Sequence, residues 1–213
     1  MREMEETSER SSAGELDDAN ADLDPIRQFQ RWFDEADSAG LPMVEAMTLA
    51  TATPEGRPSA RMVLLKSVDE RGFVFYTNYR SRKAQELEAN PWAALVFHWE
   101  PLERQVRIEG KVSRISAAES DEYFQTRPRE SQIGAVASPQ SEVIESRELL
   151  EERFRELEND YRDKAIERPP HWGGYRLEPE WIEFWKGRPG RLHDRLSYER
   201  QPDGTWLRTR LAP

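Results

Sequence analysis

From Met47 onward the chain is cut into short β-type runs by turn residues, and this limits its fold more than any other feature. Met47 to Thr53, Arg61 to Val68, Gly72 to Thr77, Trp92 to Trp99 and Gln105 to Ile115 come first. Tyr175 to Leu177, Trp181 to Trp185, Leu196 to Arg200 and Thr205 to Arg210 close the chain. Pro54-Glu55-Gly56-Arg57-Pro58 and Asp69-Glu70-Arg71-Gly72 suit hairpin connections. So many short runs with few helices between them point to an antiparallel barrel or sandwich, mainly β with flanking helices (α+β), and not to a doubly wound sheet. A helix is expected from Pro25 to Ala36, where Ile26, Phe29, Trp32 and Phe33 recur at three- and four-residue spacing behind the capping candidate Asp24. Others are expected over Ser81 to Ala89, 117–127 and 145–162, the last highly charged and on the surface. No Gly-x-Gly-x-x-Gly follows a strand and no Gly-x4-Gly-Lys-Ser/Thr occurs, so dinucleotide and P-loop sites have no support.

Charge narrows the function. The 31 Lys plus Arg and 41 Asp plus Glu of the 213 residues leave a net −10, which disfavours a nucleic-acid binder or a protein held to anionic lipid. Residues 1–24 carry nine acids against Arg2 and Arg10, with no aromatic residue. They are expected to form a disordered acidic tail, an interaction arm being the sharper alternative, with the folded domain spanning 25–213. Only five basic residues are lysine, a bias that fits a GC-rich genome or a salty cytoplasm. Without cysteine there is no disulfide, thiolate nucleophile or Cys-ligated metal. No stretch approaches the ~18 apolar residues of a membrane span and the first residues lack a signal-peptide pattern, so a soluble cytoplasmic protein is expected.

Four clusters carry possible chemistry. Ser81-Arg82-Lys83 opens a helix after a strand, with Ser81 as N-cap and free backbone N–H groups suited to a phosphate. Arg61 and Lys66 lie five apart on one apolar run, so strand parity sends them to opposite faces. A shared site then needs a bulge, long side chains or a subunit boundary. Tyr123 and Arg127 share a helical face, and Pro128 ends the helix and can turn Ser131 inward, a reasonable phosphate clamp. Arg191, His193 and Arg195 would point to one face of an extended segment, either to hold an anion or as a solvated edge strand. Of the other histidines, His98 reads as a core residue and His171 as part of a Pro-rich loop; no metal site is expected.

Ile182-Glu183-Phe184-Trp185 followed by Arg191-Leu192-His193-Asp194-Arg195 resembles the C-terminal signature of the pyridoxine/pyridoxamine 5′-phosphate oxidase family. Arg61 to Lys66, Phe75 to Asn78, Ser81 to Lys83, Glu103 to Val106, Arg127 to Arg129, Ser131 to Gly134 and Gln140-Ser141 match in order and spacing. The resemblance implies an FMN-binding split β-barrel that works as a homodimer with FMN at the interface. Arg61, Tyr76, Thr77, Arg82, Lys83 and Gln105 would hold the flavin and its phosphate from one subunit, while Gln140, Ser141, Trp185 and Arg195 would come from the other. Lys66, Tyr123, Arg127 and Ser131 would grip the substrate, Lys66 also reaching the flavin. Arg191 and His193 would place the pyridine ring as the catalytic pair. Under this reading the subunit boundary answers the parity problem of Arg61 and Lys66. The implied reaction oxidises pyridoxamine or pyridoxine 5′-phosphate to pyridoxal 5′-phosphate with O2, giving H2O2 and, from the amine, NH3. Gly190 and Val136 depart from the family's usual polar and aromatic residues. The rival readings are another split-barrel flavoprotein, such as an FMN reductase, and a non-enzymatic flavin or pyridoxal-phosphate carrier.

Overall fold

The computed structural model describes residues 16–213. Pro25–Ser38 (α1) starts as its sequence requires: the Asp24 carboxylate accepts from the Ile26 N–H at 2.8 Å and Pro25 occupies the first turn, where its missing donor costs nothing. Its apolar stripe seats the helix inside a curled sheet. Phe29 packs edge-on against Phe73 and Phe97, each at 4.9 Å, and Trp32 meets Phe184 at 5.3 Å.

The sheet comprises Ala46–Ala52 (β1), Pro58–Leu64 (β2), Ser67–Asp69 (β3), Gly72–Asn78 (β4), Trp92–Trp99 (β5), Arg104–Arg114 (β6), Trp172–Lys186 (β7), Asp194–Arg200 (β8) and Trp206–Arg210 (β9). Every pairing is antiparallel, in the order β2-β1-β5-β6-β7-β4-β3, with β8 and β9 extending from β7. Helices Arg82–Ala89 (α2), Ala117–Thr126 (α3), Arg129–Ala137 (α4) and Arg147–Asp160 (α5) flank it. The mainly β architecture and both hairpins agree with the sequence reading, and α5 has no buried residue.

Several expectations change. The run Arg61 to Val68 is two strands, because the backbone changes partner: Leu65 N–H bonds the carbonyl of Glu45, next to β1, and Lys66 N–H bonds that of Val74 in β4. Conversely, Tyr175 to Leu177 and Trp181 to Trp185 belong to one 15-residue strand. Pro179 is accommodated by a register shift between Glu109 and Gly110, where a side chain on Gly110 would meet the Glu178 carbonyl at 2.0 Å. Pro128 ends α3 but also starts α4, a helix the sequence reading lacked. His98 is exposed rather than in the core, since its strand buries Phe97 and Trp99 on the other parity.

Residues 16–24, expected within the acidic tail, pack against the folded body instead. Residues 1–15 lie outside the described residues, but Leu16 is 1% exposed and packs into the main core. Arg208 donates to the carbonyls of Asp18 and Ala21, and the Tyr198 hydroxyl to that of Asp22. Asp18 pairs with Arg208 and Arg210 of β9, and these contacts with the burial of Leu16 offset the segment's ordering entropy.

Candidate functional site

A cleft of about 520 Å³ opens between β2, β4, α2 and the α3–α4 corner. Arg61, Lys66, Tyr76, Thr77, Lys83, Tyr123, Arg127, Ser131 and Gln140 all line it within a single protomer. The parity problem of Arg61 and Lys66 therefore has a local answer, the strand break at Leu65, and needs no subunit boundary.

One end of the cleft is built on α2. Lys83 Nζ donates to Gln140 Oε1 at 2.9 Å, Thr77 Oγ1 at 3.1 Å and Ser81 Oγ at 3.4 Å. These acceptors are all neutral. Burial, and then the nearby Arg61 cation, push the Lys83 ammonium down to about 8. Ser81 starts α2 with extended backbone, but its side chain makes no capping bond, leaving the helix's first N–H groups without a side-chain acceptor. Gln140, expected from a second subunit, lies in this protomer's own cleft; Ser141 follows it in an exposed turn with φ 74°.

Arg61 is anchored from behind. Its guanidinium donates to the Leu49 carbonyl at 3.1 Å, Thr51 Oγ1 at 2.6 Å, Ser59 Oγ at 2.5 Å and Glu86 Oε2 at 3.2 Å. Glu86 is 6% exposed and also receives Arg82 Nε at 2.9 Å. Burial pushes the Glu86 carboxyl up, yet the hydroxyls of Ser59 and Thr51 and the Arg82 guanidinium outweigh it and hold the pKa at about 2. Arg82 thus points along α2 to Glu86 rather than into the cleft, the i,i+4 pairing being the shorter reach. Glu86 went unremarked in the sequence, although its spacing from Arg82 was visible there.

At the other end stand Tyr123, Arg127 and Ser131, as their spacing suggested. Tyr76, Tyr123 and Trp172 form a stack, with Tyr76 3.9 Å from Tyr123 and 5.2 Å from Trp172. Burial, and then neighbouring Tyr123, push the Tyr76 hydroxyl up to about 12, so it stays protonated. Arg127 lies over Trp172, its pKa lowered by burial, and its Nη1 is buried without a hydrogen-bond partner.

The remaining candidates are not in this cleft. Gln105, Trp185 and Arg195 sit side by side on β6, β7 and β8, since Gln105 pairs with Trp185 and Trp185 with Arg195. Gln105 therefore groups with Trp185 and Arg195, and Gln140 with Lys83, the reverse of the partition expected from the resemblance. Glu183, 2% exposed, holds Arg195 through two bonds of 2.7 and 3.1 Å and raises its pKa. Arg191, His193 and Arg195 do not share an extended face. Residues 189–191 make a tight turn with φ 68° at Gly190 and 61° at Arg191, and β8 begins only at Asp194. Glycine at 190 suits that left-handed backbone. His193 packs on Trp185 at 4.6 Å and its Nδ1 accepts the Arg188 backbone N–H at 3.1 Å, while Arg191 is exposed. No cluster of metal-ligating side chains occurs among the described residues, and none of their helices is long and apolar enough to cross a membrane.

Residues 33–161 match the family model described as pyridoxamine 5′-phosphate oxidase, and residues 172–213 the pyridoxine 5′-phosphate oxidase C-terminal dimerisation region. The chain is 62% identical, over 96% of its length and 94% of the relative's, to a pyridoxine/pyridoxamine 5′-phosphate oxidase of Rubrobacter xylanophilus. It is 57% identical to one of Paraburkholderia phytofirmans over the full length of both. Among solved structures, PhzG of Burkholderia lata, in complex with tetrahydrophenazine-1-carboxylic acid, superposes with a TM-score of 0.89 at 36% identity, covering 95% of this chain and all of that one. An FMN-binding, pyridoxamine 5′-phosphate oxidase-related protein of Nostoc punctiforme shares the fold, with a TM-score of 0.72 at 20% identity over 90% of this chain and all of that one.

Proposed function

The chain belongs to the pyridoxamine 5′-phosphate oxidase family, and from that premise we propose how its two residue groups oxidise pyridoxamine and pyridoxine 5′-phosphates to pyridoxal 5′-phosphate. The cofactor is FMN, the site is shared by two protomers, and O2 accepts the electrons. The observation that carries this reading is a single cleft lined by two desolvated cations on different elements, Lys83 of α2 and Arg127 after α3. Two phosphates, one of cofactor and one of substrate, need such a cleft.

The donor set fits FMN. Lys83 is a half-buried ammonium whose partners are neutral, so a phosphate completes its surroundings without displacing an ion pair. Gln140 and the anchored Arg61 line the same cleft beside it, and α2 begins there with no side-chain cap on its first N–H groups. Arg82 contributes through the charge it shares with Glu86. Gln105, Trp185 and Arg195 lie within or beside the dimerisation region, which supports a role for them in completing the flavin site of a second protomer. Ser141 belongs to the turn that carries Gln140.

When bound, FMN would supply the two-electron redox chemistry between substrate and O2. The protein binds, orients and shields. Arg127, Ser131, Tyr123 and Lys66 take the substrate phosphate, with the tyrosine stack as an apolar wall. Arg191 and His193 hold the pyridine ring. Because His193 Nδ1 accepts a backbone N–H, a neutral ring keeps its proton on Nε2 and offers it as a donor. Arg191 acts mainly by position, where a small displacement costs a large rate factor. For the amine, the overall change consumes O2 and water and yields aldehyde, NH3 and H2O2.

The test is anaerobic reduction. The purified protein should be yellow and should bleach on addition of pyridoxamine 5′-phosphate, the colour returning with air. Colour without bleaching would favour a flavin carrier or a reductase of different substrate.

A further inference from the structure

Trp172, the first residue of β7, is 7% exposed and held on every side. Its backbone N–H bonds the Pro169 carbonyl at 3.0 Å, and its carbonyl accepts Arg168 Nη1 at 2.6 Å while Arg168 also pairs with Asp121. Its indole stacks on Tyr76 and meets Phe124 edge-on at 5.2 Å. Against the ring lies the guanidinium of Arg127, 4.5 Å from the centroid. Arg127 follows the last turn of α3, where Pro128 breaks the helix, and its buried Nη1 has no hydrogen-bond partner.

A guanidinium can be fixed by its edge or by its face. A carboxylate would take the N–H edge that recognises phosphate, whereas an aromatic ring attracts the planar face and leaves the edge open. We infer that Trp172 is a positioning residue for substrate recognition: its indole face holds Arg127 in the cleft with the N–H edge unspent, and so sets the preference for phosphorylated over unphosphorylated vitamers. The inference rests on the reading that Arg127 takes the substrate phosphate. Trp172 earns it on three grounds: contact with Arg127, a rigid seat, and a bare donor beside it.

The experiment uses FMN-loaded W172L, which loses the π face, and W172F, which keeps a smaller one, beside R127A. In W172L, KM for pyridoxamine 5′-phosphate should rise about ten- to thirty-fold. Its kcat should change less than about threefold, and kcat/KM for unphosphorylated pyridoxamine should hold within the same factor. W172F should recover most of the KM. FMN affinity, read by quenching of FMN fluorescence, should stay within about threefold of wild type, because the phosphate end of the cleft is built on other elements. If R127A itself retains the preference for phosphorylated substrate, the assignment of Arg127 fails. If R127A abolishes that preference while W172L keeps the wild-type KM, the role of Trp172 is overturned. Equal loss of kcat with both substrates, unrelieved in W172F, would also overturn it, marking a merely structural side chain. If W172L does not retain FMN, W172F and W172Y decide: KM raised about two- to fivefold supports the inference, and wild-type KM in both refutes it.

Discussion

Lys83 offers the sharpest quantitative test of the phosphate end. Within the cleft its ammonium is pushed down to about 8, first by burial and then by Arg61. A bound phosphate supplies the missing opposite charge, so the bound state favours the ammonium and raises the pKa again. FMN binding must then take up a proton wherever the free protein has lost it. With a pKa of about 8, about half the lysine is charged at pH 8 and roughly one part in eleven at pH 9. FMN should therefore bind about twofold more weakly at pH 8, and about tenfold more weakly at pH 9, than at pH 7. The assay is fluorescence titration of apo-protein with FMN across this range. Calorimetry in two buffers of different ionisation enthalpy should report nearly one proton taken up near pH 9. The apo-protein alone should gain stability as pH rises from about 8 towards 10.5, because burial penalises the charged form, and the FMN complex should not. K83M should bind roughly 10- to 100-fold more weakly at pH 7, the worth of a charge-assisted bond, and should lose the pH dependence. A flat affinity between pH 7 and 9.5 in wild type, or an unchanged slope in K83M, would refute the reasoning.

The other predictions concern residues that hold or present the site. E86A leaves Arg61 and the hydroxyls of Thr51 and Ser59 without their buried acceptor, so it should cost about 3 kcal/mol in denaturant unfolding and weaken FMN binding as well. Since the Glu86 pKa is held near 2, its contribution is complete above about pH 4.5 and lost as pH falls towards 2; E86Q should flatten that part of the acid-unfolding curve, and an unchanged curve would count against the anchor. R191L should lower kcat by about tenfold or more while FMN occupancy, read from the absorbance ratio of flavin to protein, stays near wild type. Equal loss of both would remove Arg191 from the substrate side.

How much of this was legible in the sequence depended on whether the deciding force was local. α1, both hairpins and the Tyr123/Arg127/Ser131 grouping could be read because caps, turn residues and helical spacing act over a few residues. The break after Leu64 could not, because it arises where one stretch of backbone passes from β1 to β4, a choice set by tertiary pairing. The same is true of the unbroken β7, whose Pro179 is tolerated only because Gly110 lies opposite on β6. Leu16 looks like an isolated apolar residue in an acidic run; it is buried in the main core, and its carbonyl accepts from Arg210, almost the whole chain away. Trp172, Glu86 and Glu183 could not be read from local spacing because each engages an arginine brought to it by tertiary pairing: Arg127, Arg61 and Arg195.

In the proposed dimer the cleft of one protomer works with the β6–β8 row of the other. A heterodimer of K83M and R195L protomers, co-expressed with different tags and purified, separates the possibilities through its FMN content. If the site is shared, one of the two sites inherits both lesions and the other neither. The heterodimer should then hold about one FMN per dimer, against about two for wild type and little for either mutant homodimer. A heterodimer as empty as the two homodimers would contradict the claim, because a site contained within one protomer would be damaged in both.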